Sequence, residues 1–276
     1  MIVLFRLMSW LPLWLLQGLG WTLGWVVYGL SPTYRARFRA NLRQAGFPGS
    51  AGRVAVGQAG QLVAELPRLW FGRAVVIDWD GQQHIEQALA AGRGILFLTP
   101  HLGCFEVTAQ AYAACYGVLQ PMTVLFRPSR QPRLRALVAS VRNRPGLQAA
   151  PTTLAGVKQL IKALRQGQSV GLLPDQVPPQ GQGVWAPFFG REAYTMTLSA
   201  RLAQQTGAEV LVAWGERLTW GRGYRVHVQP LGLTLPQDPL AAATVINQAM
   251  EQVIAACPQQ YLWGYARYKQ PRQESL

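Results

Sequence analysis

The sequence predicts an α/β fold, a mostly parallel sheet covered by helices on both faces, with an N-terminal membrane-anchoring helix. Three observations carry this expectation. Beyond about residue 75, short apolar runs alternate with stretches of helical periodicity, the pattern of parallel strands joined by helices. The runs themselves, such as 95–98, are unbroken and too brief for helices, as buried strands are. Residues 1–30 are almost wholly apolar, with Arg6 their only charge. Half of the 276 residues are apolar, enough for a sizeable core, and the length suits one large domain. The chain therefore divides into an anchor helix over 1–30 and a single domain over 31–276.

The first stretch is long enough to cross a bilayer as a helix. Trp10, Trp14, Trp21, Trp25 and Tyr28 are spread along it. This suits either a spanning helix with aromatic belts or one lying in the interface. No clear small-residue cleavage site marks a signal peptide. Ser31-Pro32 ends the pattern, and Arg35, Arg37, Arg39 and Arg43 follow. Basic residues directly after an apolar anchor mark the cytoplasmic side and offer contacts to anionic headgroups. Residues 46–59, rich in Gly, Pro and Ala, read as a loop, and 61–71 as a helix interrupted at Pro67. A strand at 75–77, a turn at Asp80-Gly81 and a helix over 82–91 come next. Strand 95–98 leads into a helix over 104–116, then strand 122–126 and a basic helix over 130–141. A short strand at 147–150 precedes a helix capped by Thr152 or Thr153 and running to Arg165. Strand 169–173, a helix over 197–206, strands 209–215 and 224–231 and a helix from Asp238-Pro239 to Ala256 complete the series. Only 178–191 shows neither period, and a loop that long within a compact domain is usually functional.

Charge narrows the class. Lys and Arg number 26 against 12 acids, a formal net charge of +14. That balance alone suits nucleic acid or an anionic membrane. The ten Trp and the apolar start favour the membrane, and no zinc-finger, RNA-recognition or basic-zipper pattern is present, so no nucleic-acid partner is expected. Three cysteines, Cys104, Cys115 and Cys257, form no CxxC pair, which argues against a disulfide framework and a zinc site. A reducing, cytosol-facing location is the simplest fit.

The chemistry concentrates in Thr99-Pro100-His101-Leu102-Gly103-Cys104-Phe105-Glu106. His101 stands on the turn after a strand, where open α/β sheets place their sites. Glu106 falls about one turn into the next helix, within reach of the imidazole. A carboxylate on one ring nitrogen fixes the tautomer and leaves the other as a general base. Of the two remaining His, His84 reads as a structural or surface residue and His227 as a partly buried strand position. Arg127 and Asp175 follow other strands in the same topological position, and all three strand ends converge on one crevice. A buried Asp175 needs a partner, for which Arg127, Arg142 and Arg144 are candidates.

His-Leu-Gly-Cys-Phe-Glu resembles the His-x4-Asp/Glu box of glycerolipid-type acyltransferases, and looks most like the lauroyl/myristoyl transferases of lipid A biosynthesis. Asn41-Leu42-Arg43, Phe126-Arg127-Pro128, Pro174-Asp175-Gln176, Pro187-Phe188-Phe189-Gly190, Ala193-Tyr194-Thr195, Tyr261-Leu262-Trp263 and Arg267 match that family in order and spacing, from about residue 5 to 268. Cys104 within the motif and a somewhat short chain are the departures.

The resemblance implies a glycerolipid acyltransferase-like fold at the bacterial inner membrane, with the catalytic domain facing the cytoplasm. It implies transfer of a fatty acyl chain from acyl carrier protein, or less readily acyl-CoA, to a hydroxyl of a lipid A precursor, without cofactor or metal. His101 would take the hydroxyl proton, Glu106 would steady the imidazolium, and Gly103 with neighbouring N–H groups would hold the oxyanion. Arg127, Arg142 and Arg144 would bind phosphates of acceptor or donor. Trp185, Phe188 and Phe189 would line an acyl slot, dip into the bilayer or pack beneath their loop. The alternatives are another acceptor on the same fold (a lysophospholipid or a glycolipid), a covalent route through Cys104, and a non-catalytic membrane lipid-binding protein.

Overall fold

The computed structural model describes residues 2–47, 49–126 and 144–273. The helix expected over 130–141 lies outside the described residues. The helices are α1 (Ile2–Met8), α2 (Leu13–Leu30), α3 (Pro32–Gln44), α4 (Ser50–Ala64), α5 (Leu66–Phe71), α6 (Gln82–Ala91), α7 (Phe105–Tyr116), α8 (Leu154–Arg165), α9 (Leu198–Thr206) and α10 (Pro239–Ala256). The strands are β1 (Ile77–Asp80), β2 (Ile95–Leu98), β3 (Met122–Phe126), β4 (Leu147–Pro151), β5 (Ser169–Leu172), β6 (Gly183–Phe188), β7 (Arg191–Met196), β8 (Glu209–Arg217) and β9 (Tyr224–Pro230).

Seven strands form one sheet in the order β1-β9-β8-β2-β5-β3-β4, every pair parallel except β8 with β9. The central strands β2 and β5 are buried at every position. This is why Ile95–Leu98 reads as a continuous apolar run and not an alternating one. Alternate residues feed two cores. Ile95, Phe97, Leu211 and Ala213 pack with Ile85 of α6 and with Val107 and Tyr112 of α7. Leu96, Leu98, Val170 and Val212 pack with Leu160 of α8, Leu202 of α9 and Ile246 and Met250 of α10. The expected mostly parallel, doubly covered sheet is therefore present.

Two segments differ from the sequence reading. Residues 46–59 are no loop: α4 occupies most of them and lies against α2. A Cβ on Gly20 or Gly24 would meet the α4 backbone, and one on Gly60 the α2 backbone. The glycines that weaken helix propensity are what lets two helix backbones approach this closely, so tertiary packing overrides propensity. Residues within 178–191 are also not structureless. Strands β6 and β7 form an antiparallel hairpin from Gly183↔Met196 to Phe188↔Arg191, turned at Phe189 (φ +48°) and Gly190 (φ +71°). Positive φ at both turn residues matches the right-handed twist of the strands.

The N-terminal expectation needs correction too. Pro12 divides the apolar stretch into α1 and α2, and α2 at 18 residues spans about 27 Å at 1.5 Å per residue, short of a ~30 Å hydrocarbon core. Among the described residues no helix is long and apolar enough to cross a membrane.

Candidate active site

Parallel pairing of β2 with β5 aligns Leu98 with Leu172. His101 and Asp175 each stand three residues beyond that pair, and each follows a proline that cannot extend the ladder. The two chain exits thus run side by side for equal lengths and bring the side chains together. His101 Nδ1 lies 2.7 Å from Asp175 Oδ1, and the His101 backbone N–H donates to Asp175 Oδ2 at 2.9 Å. Tyr261 OH donates to the same Oδ2 at 3.1 Å.

Asp175 is buried, its side chain only 2% exposed. Burial alone would push its carboxyl up. The His101 ring, the hydrogen bonds from His101 and the nearby Arg267 outweigh burial and hold it below its ordinary value. A carboxylate only accepts, so His101 donates from Nδ1 and keeps its lone pair on Nε2. Gln176 Nε2 faces that nitrogen at 3.0 Å, where its amide donates. The imidazole is 15% exposed and meets the Phe105 ring edge-on at 4.9 Å.

The expected partnership of His101 with Glu106 is not the one formed. Both ring nitrogens are engaged by residues from the β5 exit, because the equal exits reach His101 directly while Glu106 has already turned away on α7. Glu106 instead stands with Thr99 and Phe105 in the wall of an apolar cleft of about 720 Å³, open mouth included. Trp79, Ile85, Tyr112, Met122 and Val226 line it further along, beneath α6 and α7.

Gly103 also has a different task from the one expected. Its N–H donates to Gln260 O at 2.9 Å, and those of Leu102 and Cys104 go to Pro100 O and Gly215 O, both at 2.7 Å. These three N–H groups are committed to the fold and do not form an oxyanion hole. Gly103 has φ +57°, and a Cβ there would collide with Gly215 O, so glycine permits the close approach of this turn to β8. Arg217 Nη2 donates to Gly103 O at 3.3 Å, and the same fully buried guanidinium pairs with Glu65. Gln17 of α2 donates to Glu65 at 3.1 Å. A polar strut therefore runs from α2 to the His101 turn.

Arg144 binds the last carbonyls of α5, Leu69 O at 3.0 Å and Trp70 O at 2.7 Å, and Gln110 of α7 at 3.3 Å. Burial lowers its pKa while the Glu106 charge opposes this. The guanidinium ties α5 to α7, where the sequence reading had it holding a phosphate. Arg127 and Arg142 lie outside the described residues. Cys104 is fully buried, and burial followed by the Glu65 charge pushes its thiol well up, which does not suit a nucleophile. Phe188 lies in the core under Arg267, Phe189 packs on Phe47 and Trp263, and Trp185 lies against Tyr194. Phe188 and Phe189 are therefore packed, while Trp185 remains exposed beside Tyr194. Among the described residues no three His, Cys, Asp or Glu side chains converge as metal ligands.

Five residues around the site escaped the sequence reading. Gln176 and Tyr261 stood in motifs without a role, and Arg217 and Gln260 carried no local signal. Glu65 had one, since it is the only acid among residues 1–77.

The chain is similar in sequence to known proteins. The chain is 27% identical over 203 residues to the lipid A biosynthesis palmitoleoyltransferase of Escherichia coli (strain K12), covering 73% of this chain and 62% of that enzyme. It is 29% identical over 191 residues to the lipid A biosynthesis lauroyltransferase of the same organism, covering 68% and 60%. It is 28% identical over 179 residues to a lipid A biosynthesis acyltransferase of Haemophilus influenzae, covering 64% and 54%. The chain thus spans between about a half and two thirds of the length of these relatives. The model of the bacterial lipid A biosynthesis acyltransferase family matches residues 1–270, and with His101, Asp175 and Tyr261 all inside that match, the chain belongs to this family.

Proposed function

We propose that the protein transfers a fatty acyl chain from the thioester of an acyl carrier protein, or of coenzyme A, to a hydroxyl of a lipid A precursor. The reaction takes place at the cytoplasmic face of a bacterial inner membrane. The single observation that carries this reading is the His101 imidazole, held by Asp175 with Nε2 as its basic nitrogen, next to an apolar cleft whose wall includes Thr99 and Phe105.

The acceptor hydroxyl takes the position at Nε2 now held by the Gln176 amide. Its oxygen attacks the thioester carbonyl and its proton passes to Nε2. As the tetrahedral intermediate collapses, the C–S bond breaks and His101 returns the proton to the departing sulfur. Asp175 stabilises the imidazolium between these steps, and Tyr261 and Arg267 keep the carboxylate in place. The acyl chain lies in the cleft beneath α6 and α7, whose apolar walls exclude water from the hydrocarbon. Glu106 stands in the wall of that cleft, while the imidazole nitrogens are held by Asp175 and Gln176.

The test is turnover of purified protein with acyl carrier protein or coenzyme A thioesters and detergent-dispersed acceptor, the product read by mass spectrometry. His101→Ala is expected to lower the rate by roughly 10²–10⁴-fold. Equal rates for the two proteins, or acyl transfer to a lysophospholipid with none to the lipid A precursor, would overturn the proposal.

A further inference from the structure

We infer that α1, the outward side of α2 and the turn bearing Trp220 form one seat that lies in the plane of a single leaflet of an anionic bilayer. This rests on the proposed function only in placing the protein at a membrane; it adds how the protein sits there.

Helix α2 is apolar nearly all round, yet the protein covers only one stripe of it: Leu13, Leu16, Gln17, Gly20 and Gly24, at helical spacing. Outside the stripe, Trp14, Leu19, Leu23, Val26, Val27 and Leu30 are exposed. Helices with apolar residues on every side normally have an apolar environment on every side. On α1, Val3, Leu4 and Leu7 are exposed as well, and Trp10 beyond it is 78% exposed.

A second element reaches the same surface from the far end of the chain. The turn Thr219–Gly221 joins β8 to β9 and is fastened to α2, with the Gly221 N–H donating to Gln17 Oε1 at 3.0 Å. Gly221 lies so close to Trp14 that a Cβ would meet its backbone. Trp220, between them, has φ +60° and is 88% exposed. L side chains rarely adopt this left-handed conformation, and nothing inside the protein is gained by it, since the indole packs on no core. An indole presented on the turn that packs against Trp14 suits the water–lipid boundary, where Trp gathers.

Charge identifies the occupant. Residues 1–64 hold six Arg and no acid. Arg37, Arg39 and Arg43 are exposed on α3, directly after α2. Two copies of this surface would repel each other, whereas anionic headgroups complement it. A spanning arrangement is opposed by the buried stripe, because α2 would carry α4, with Arg53 and Gln58, into the hydrocarbon. The seat is also continuous with the candidate site. Asn41 of α3 donates to Trp263 O at 2.7 Å and Tyr265 O at 2.8 Å, in the segment whose Tyr261 holds Asp175.

The test uses the full chain and vesicles of phosphatidylglycerol with phosphatidylcholine, compared with phosphatidylcholine alone, without acyl donor. Binding should require the anionic lipid and weaken with salt. Trp220→Gly should reduce vesicle affinity about tenfold, the scale of one buried apolar side chain, while leaving thermal stability equal or higher because the left-handed turn is relieved. A parallel fall in stability and binding would mean that Trp220 only supports the fold, and would overturn its place in the seat. For depth, a fluorophore on Leu19→Cys, in a chain also carrying Cys115→Ser, should be quenched most by lipids brominated near the headgroup. Strongest quenching by midplane bromines would show a spanning helix, and a stable dimer indifferent to vesicles would show a second copy on this face. Either result overturns the inference. His101→Ala should bind vesicles as the parent does, so failure of the seat and failure of the proposed chemistry are separately visible.

Discussion

Two histidines of this chain are held by carboxylates, and only one is built as a base. His227, on β9, has Asp80 Oδ2 at 2.8 Å from Nδ1 and Glu216 Oε2 at 2.9 Å from Nε2, and stacks on Trp214 at 4.5 Å. A carboxylate faces each of its nitrogens, and the ring clamps β1, β9 and β8 together. His101 has an acceptor on one side and a donor on the other. A carboxylate neighbour therefore does not by itself make a histidine catalytic. What matters is whether the second nitrogen keeps a lone pair facing a space that a substrate can enter.

This contrast is open to direct attack. Asp175→Asn keeps the shape of the His101 partner while allowing the wrong tautomer, and should lower turnover by roughly 10²–10⁴-fold. Glu106→Gln should lower it much less, because Glu106 does not touch the ring nitrogens. A reversal of that order, read in the same turnover assay, would return the orienting role to Glu106. The Asp175 carboxyl is held below its unfolded value, so its contribution to stability is present above the ordinary carboxylate range of about 4 and is lost as pH falls through the lower folded value. Asp175→Asn should therefore flatten the acid side of a stability profile measured by urea unfolding. At the other histidine, His227→Gln should leave turnover within about twofold and cost about 1 kcal/mol or less, since Asp80 is largely exposed and such pairs contribute little. A large fall in rate for that variant would mean that the two sites are less separate than their geometry implies.

The core of the fold was legible in the sequence because the central strands β2 and β5 are short, mostly apolar and soon followed by a proline. The bounds of β2, β3 and α6 came out as they stand in the structure, and Thr153 indeed caps α8 through Gly156 N. Two regions misled for one reason, that a glycine-rich stretch is weak in local preference and takes its form from what it packs against. Helix α4 gains its shape from α2, and the β6–β7 hairpin from the core beneath Phe188 and from the Glu251 carboxylate that accepts from Phe189 N at 2.7 Å. At the candidate site, His101 could be singled out because rarity, position and resemblance agreed. Its partner could not be chosen from spacing along one segment. Pairing of β2 with β5 is a long-range fact, and it favours a residue 74 positions away over one five positions away.

The matched exits of β2 and β5 have a consequence for how this protein can vary. Adding or removing a single residue in either exit would slide one side chain past the other by about 3.3 Å and send it to the opposite side of its strand. The elements that follow the exits, α7 after β2 and the β6–β7 hairpin after β5, are free of that demand, since neither supplies an atom that holds the imidazole nitrogens. Drift in length should thus be tolerated after the two prolines' neighbours and forbidden before them, which makes the paired exits, and not the five-residue spacing along one segment, the unit to transplant into another parallel sheet.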